Sequence, residues 1–119
     1  IKQYKNDPIK NEAIYWLART KLDDDDESKA LTLLKLLAEE PNIDRELLSD
    51  YKASYADYYI RQEQYNKAIE KLDESILVTK NKKRKARLTY ILAQLQYEDG
   101  FKSDAVASYK KVVKLHPDY

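Results

Sequence analysis

Three stretches of this chain lie under one another in register: Asn11 to Asn42, Ser49 to Lys80 and Ala86 to Pro117. The eighth residue of each is alanine (Ala18, Ala56, Ala93), and a second alanine follows twelve positions on (Ala30, Ala68, Ala105). Four positions beyond that stands a large apolar or aromatic residue (Leu34, Leu72, Tyr109). Self-similarity at this period marks stacked supersecondary units, because a single unit cannot bury its own apolar face. Arrays of this kind present an extended surface rather than a closed pocket.

Composition narrows the unit to helix. One glycine and three prolines in 119 residues are too few for a turn-rich β protein. Runs of Ala, Leu, Lys, Glu and Gln favour helix instead. The balance of 22 basic against 21 acidic residues lacks the basic surplus that nucleic-acid binding calls for. Cysteine is absent, which removes disulfides and thiolate metal sites. No apolar run is long enough to cross a membrane as a helix, and no signal peptide is visible. We expect a single domain over residues 1–119, cut from a longer protein. Ile1 to Lys5 reads as the tail of an earlier helix, and Pro117 to Tyr119 as the opening of another repeat.

Apolar spacings of three and four place two helices in each unit. The first unit has Ala13, Ile14, Leu17 and Ala18 over 11–22, then Leu31, Leu34, Leu37 and Ala38 over 28–39. The second has Leu47, Leu48, Tyr51, Tyr55, Ala56 and Tyr59 over 44–62, then Ala68, Ile69, Leu72, Ile76 and Leu77 to about 80. The third has Leu88, Ile91, Leu92 and Leu95 over 82–98, then Ala105, Val106, Tyr109, Val112 and Val113 over 103–115. Asp44 and Ser103 are expected N-caps. Gly100 suits a turn that needs positive φ. The alanine pairs have a mechanical reason: helices approach to about 8–10 Å only where small side chains meet.

These residues resemble tetratricopeptide repeats. The third unit carries the pattern best, with Leu92-Ala93, Gly100, Ala105, Tyr109, Leu115 and Pro117. The second has Tyr55-Ala56, Tyr59, Tyr65, Ala68 and Leu72 but Lys80 in place of the closing proline. The first has Leu17-Ala18, Ala30 and Leu34, with neither glycine nor aromatic in its turn. Equivalent alanines are 38 and then 37 residues apart, against about 34 in the family. The resemblance implies an all-α, right-handed α-solenoid of three helical hairpins that holds a protein or peptide partner, or neighbouring repeats of its parent chain. A narrower likeness, in Asn11 to Arg19 and Asn81 to Leu95, is to the large repeat lipoproteins of the bacterial gliding-motility and type IX secretion apparatus (SprE/PorW type). It implies a periplasmic, outer-membrane-associated scaffold.

Mapped onto that family, the first helix of each unit lines the groove. The expected binding residues are Tyr15, Trp16 and Arg19, then Asp57 and Arg61, then Tyr90, Gln94 and Tyr97. Aromatic and Arg side chains are the usual interface anchors, although each of these aromatics also suits packing between helices. The positions at which co-chaperone repeats clamp a terminal carboxylate hold Trp16, Ala53, Asp57 and Tyr90 here, which argues against that use. The basic run Lys80 to Arg87 suits a phosphate or an acidic partner, but blocks of like charge more often form a solvated inter-helix turn, which is the expectation here. Asp23 to Glu27 lacks the ligand spacing and the glycine of a calcium loop. His116 stands without a second His or Cys. No catalytic residue, metal ligand or cofactor is therefore expected, and no enzyme activity. The competing readings are an internal spacer without a ligand and a regulatory domain of a larger enzyme.

Overall fold

A computed structural model describes residues 8–116. It holds six helices: α1 (Pro8–Asp23), α2 (Glu27–Ala38), α3 (Arg45–Arg61), α4 (Tyr65–Val78), α5 (Lys82–Glu98) and α6 (Lys102–Leu115). The expectations for Ile1 to Lys5 and for Pro117 to Tyr119 lie outside these residues. The helices pair in chain order into three antiparallel hairpins, α1–α2, α3–α4 and α5–α6. Each hairpin stacks on the next by laying its second helix against the following first helix, α2 on α3 and α4 on α5. The result is an all-α solenoid measuring 49 × 28 × 21 Å. Its radius of gyration of 15.1 Å exceeds the roughly 13–14 Å of a compact domain of this length. α1 also packs directly on α3, and no comparable contact joins α2 to α4 among the described residues. α3 and α5 are joined instead by an ion pair between Asp50 and Arg84, so the first helices share one face of the stack.

The hairpin turns repeat atom for atom in the backbone. Asp25, Glu63 and Gly100 all have left-handed φ, at 59°, 57° and 88°. The amide after each donates to the carbonyl five residues back: Asp26 to Lys21 at 2.8 Å, Gln64 to Tyr59 at 2.9 Å, Phe101 to Gln96 at 2.7 Å. The left-handed residue itself donates three back, to Leu22, Ile60 and Tyr97. This bond pair is the Schellman cap, which satisfies carbonyls the helix end leaves open. Only the third turn has the glycine such a cap favours; Asp25 and Glu63 hold the same conformation against the Cβ–carbonyl contact it entails.

The six register alanines (Ala18, Ala30, Ala56, Ala68, Ala93 and Ala105) are all buried. Around them lie two clusters. Leu34 and Leu37 of α2 meet Tyr51 and Tyr55 of α3. Leu72 of α4 meets Leu88, Leu92 and Leu95 of α5. Some expected core positions are exposed instead: Ala13, Leu17, Ala38, Leu77, Val106 and Val113. A helical stripe is wider than the arc a neighbour covers, and among the described residues α1 and α6 each meet a neighbouring hairpin on one side only. Caps also differ from expectation. Asp44 sits at the N-cap of α3 without a side-chain bond, and α6 starts after Phe101 rather than Ser103. The side chains that do cap are Asp26, accepting from the Lys29 amide, and Asn81, accepting from that of Arg84. Pro8 lies in α1 rather than ahead of it.

The second unit lacks a closing proline and ends α4 another way. Thr79 leaves the helix in extended conformation, and Arg45 Nε donates to the Val78 carbonyl at 2.9 Å. Beneath it three buried hydroxyls join α3 to α4. Ser49 and Thr79 lie 2.6 Å apart, Ser75 donates to the Ser49 carbonyl at 2.8 Å, and Thr79 donates to the Ser75 carbonyl at 2.6 Å. Each hydroxyl has a partner, so their burial carries no unpaired-group penalty.

Two outcomes are expected. Glu63→Gly removes the Cβ from an exposed left-handed position and raises stability by about 1 kcal/mol, read as a higher urea midpoint with unchanged slope; a lower midpoint contradicts the cap assignment. The second concerns Tyr55. Its phenol is pushed from 10.0 up to about 12 by burial, and then by Tyr59, Tyr51 and Tyr58 beside it. The folded state thus holds that proton more tightly than the unfolded chain. The stability this contributes is complete below pH 10.0 and disappears as pH rises through about 12. Tyrosinate absorbance should show Tyr55→Phe losing a late-titrating phenol; an unchanged titration curve refutes this.

Candidate interaction surface

The inner face is built from one side of α1, α3 and α5. At its centre the charged residues meet one another. Arg19 of α1 donates to Asp57 of α3 at 3.0 Å and to the Ser54 hydroxyl at 3.3 Å. Asp57 also accepts from Arg61 at 3.3 Å. Arg61 reaches back to the first hairpin, donating to the Leu22 carbonyl at 2.7 Å and pairing with Asp25 at 3.3 Å. The guanidinium thus lies at the negative end of α1, where a cation is favoured. Asp57 stands between two guanidinium groups, and all three side chains are partly shielded from water. Three of the eight residues expected to bind a partner are therefore engaged in joining the first two hairpins.

The aromatic members stay open. Trp16 is 60% exposed, with its ring edge-on to Tyr15 at 5.0 Å. Together they border a shallow hollow of about 310 Å³ whose other walls include Glu12, Glu46 and Asp50. On α5, Tyr90 and Tyr97 are 40% and 54% exposed, and Gln94 beside them is exposed as well. Tyr90 rests edge-on against Tyr109 of α6 at 5.9 Å. Lys102 stands 5.8 Å over the Tyr97 ring. The face thus has two aromatic patches, one acidic-rimmed on α1 and one on α5, separated by an internally neutralised centre.

Sequence reasoning missed what the flanking charges do. Arg84 of the basic run pairs with Asp50 at 2.7 Å and ties α5 to α3. Asp25 and Asp26 of the acidic run form the first turn and cap α2. Asn81 just ahead of a lysine-rich helix start was a visible capping signal. Nothing local marks Asp57 or Asp50 as a partner of an arginine more than thirty residues away.

One comparison bears on the fold. A family model described as tetratricopeptide repeat matches residues 88–119, the third unit, where the sequence pattern is also fullest. This supports the tetratricopeptide repeat family, whose repeats generally mediate protein–protein interaction. No curated protein matches the chain. No helix among the described residues is long and apolar enough to cross a membrane.

Asp57→Ala should leave Arg19 and Arg61 without their shared acceptor and cost about 1–2 kcal/mol in urea unfolding, within the range of charged hydrogen bonds that are part-solvated. Arg19→Ala in that background should then cost little more. Full additivity of the two changes would show that the side chains do not interact.

Proposed function

We propose that this chain is a non-catalytic protein-binding scaffold and that its inner face takes a partner segment at the two aromatic patches. The observation that carries the reading is the division of labour on that face. Arg19, Asp57 and Arg61 hold the hairpins in a fixed curve, while Trp16, Tyr90 and Tyr97 remain accessible. A preset curve lowers the ordering cost of binding, and aromatic anchors supply most of the energy at such surfaces. The hollow beside Tyr15 and Trp16, rimmed by Glu12 and Glu46, suits a basic side chain of the partner.

The compartment is part of the same proposal. The likeness of Asn11 to Arg19 and of Asn81 to Leu95 to type IX secretion and gliding-motility lipoproteins supports a place in a bacterial envelope assembly, on the periplasmic side of the outer membrane.

Peptides selected on this chain from a random phage-displayed library provide the test. Tyr90→Ala combined with Tyr97→Ala should weaken their binding at least tenfold, in keeping with anchor residues worth over 1 kcal/mol each, with no change in circular dichroism. Unchanged affinity removes the α5 patch from the site, and loss of helix reassigns those tyrosines to the core. Failure of the library to yield any binder favours the spacer reading. Recovery of the protein away from the outer-membrane fraction overturns the envelope placement.

A further inference from the structure

The exposed side of α5 is one stripe with two chemistries. Lys83, Arg87, Tyr90, Gln94 and Tyr97 are all exposed, at spacings of three and four that put them on one side of the helix. Ala86, Thr89, Leu92 and Ala93 between them are buried. The first two members are cations, and the other three are two phenol rings around a carboxamide. At 1.5 Å per residue, Lys83 stands about 10 Å from Tyr90 and about 21 Å from Tyr97 along the axis.

The cationic end is crowded. Six of the eight residues from Lys80 to Arg87 carry positive charge, and no acid stands in the first turn of α5. Lys83, Arg84 and Arg87 line a hollow of about 430 Å³ with Asn81 and Glu46. Asp50 pairs with Arg84 at 2.7 Å. Among the described residues, the acids lining this hollow and the one beside it are Asp44, Glu46 and Asp50, too few to balance six cations. Like charges held together repel one another, and an acid brought by a partner relieves that repulsion.

We propose that the partner segment held at the α5 rings carries Asp or Glu side chains that dock on Lys83 and Arg87, which rests on the inner-face reading above and adds the partner's charge to it. An extended segment advances about 3.3 Å per residue, so its acids fall about three to six residues from the side chain that meets Tyr90 or Tyr97. The occupant is a protein segment and not a nucleic acid. The chain has 22 basic and 21 acidic residues, and Glu46 and Asp50 at one end of the stripe, with exposed Glu98 at the other, interrupt any track for a continuous row of phosphates. Tyr90 holds a position at which co-chaperone repeats grip a chain terminus, so Lys83 and Arg87 form a different constellation, suited to side-chain carboxylates.

Peptides selected on this chain from the phage-displayed library, with their C-termini fused to the coat protein so that only side-chain acids are on offer, test the proposal. They should carry Asp or Glu at the stated distance from an aromatic residue. Binding of synthetic copies, read by fluorescence anisotropy, should weaken about fivefold in Lys83→Glu, as for an exposed ion pair reversed. Replacing the peptide's acids by lysine should weaken binding to the unaltered chain and restore binding to Lys83→Glu. Lys110→Glu, the same charge change at an exposed position on α6, should leave affinity within about twofold, because salt screens distant charges. Peptides that need Tyr90 and Tyr97 but lack acids, or that ignore Lys83→Glu, overturn this inference and leave the inner-face reading standing. Acidic peptides indifferent to Tyr90→Ala combined with Tyr97→Ala overturn it too, because the rings and the cations are then not one site. Tighter binding of single-stranded oligothymidylate than of any peptide overturns it in favour of nucleic acid, and a library without binders overturns both readings.

Discussion

The close crossing of paired helices at alanine is the constraint on which the rest of this structure depends. Ala18 and Ala30, Ala56 and Ala68, and Ala93 and Ala105, one on each helix of a hairpin, are buried with almost no residual exposure. Small side chains there let the two backbones approach to about 8–10 Å. That approach orients Leu34, Leu72 and Tyr109 one turn further on. It also fixes which edge of each hairpin is left to meet the next. The inner face and the stacking seams are both consequences of this one contact, repeated.

The turns show how little side-chain chemistry a repeated backbone needs. Aspartate, glutamate and glycine occupy the same left-handed position and make the same two hydrogen bonds. The bonds belong to the main chain, so the hairpin persists where the favoured residue is missing. The second unit adapts likewise at its far end. With lysine where a proline would stop the helix, Arg45 and the Ser49–Ser75–Thr79 hydroxyls close α4 instead.

On the inner face, shape and recognition fall to different residues. Arg19 and Arg61 at its centre are held by Asp57 and Asp25 across the first two hairpins, which braces the curve and leaves these four charges balanced. Recognition passes to rings at either side, which can be half-exposed at small cost because aromatic surfaces tolerate water at an edge. A tyrosine-rich chain makes this division hard to see in advance. Tyr51 and Tyr55 are buried, Tyr90 and Tyr97 are not, and they all recur at helical spacing.

Helix content, pairing order, the three units and the glycine turn are written in local spacing, because a period near 3.6 and an alanine every repeat are properties of neighbouring residues. The sequence alone thus determined an all-helical array of three hairpins. What only the tertiary structure decided is where each stripe ends and which charges find each other. Leu17 and Val113 fit the apolar pattern as well as Leu92 does, yet they are exposed, with no hairpin across them among the described residues. Arg19 looked as available as Tyr90, yet it is held by Asp57, 38 residues away. Burial and ion pairing are set by which segments meet across the stack, and no local window contains that information.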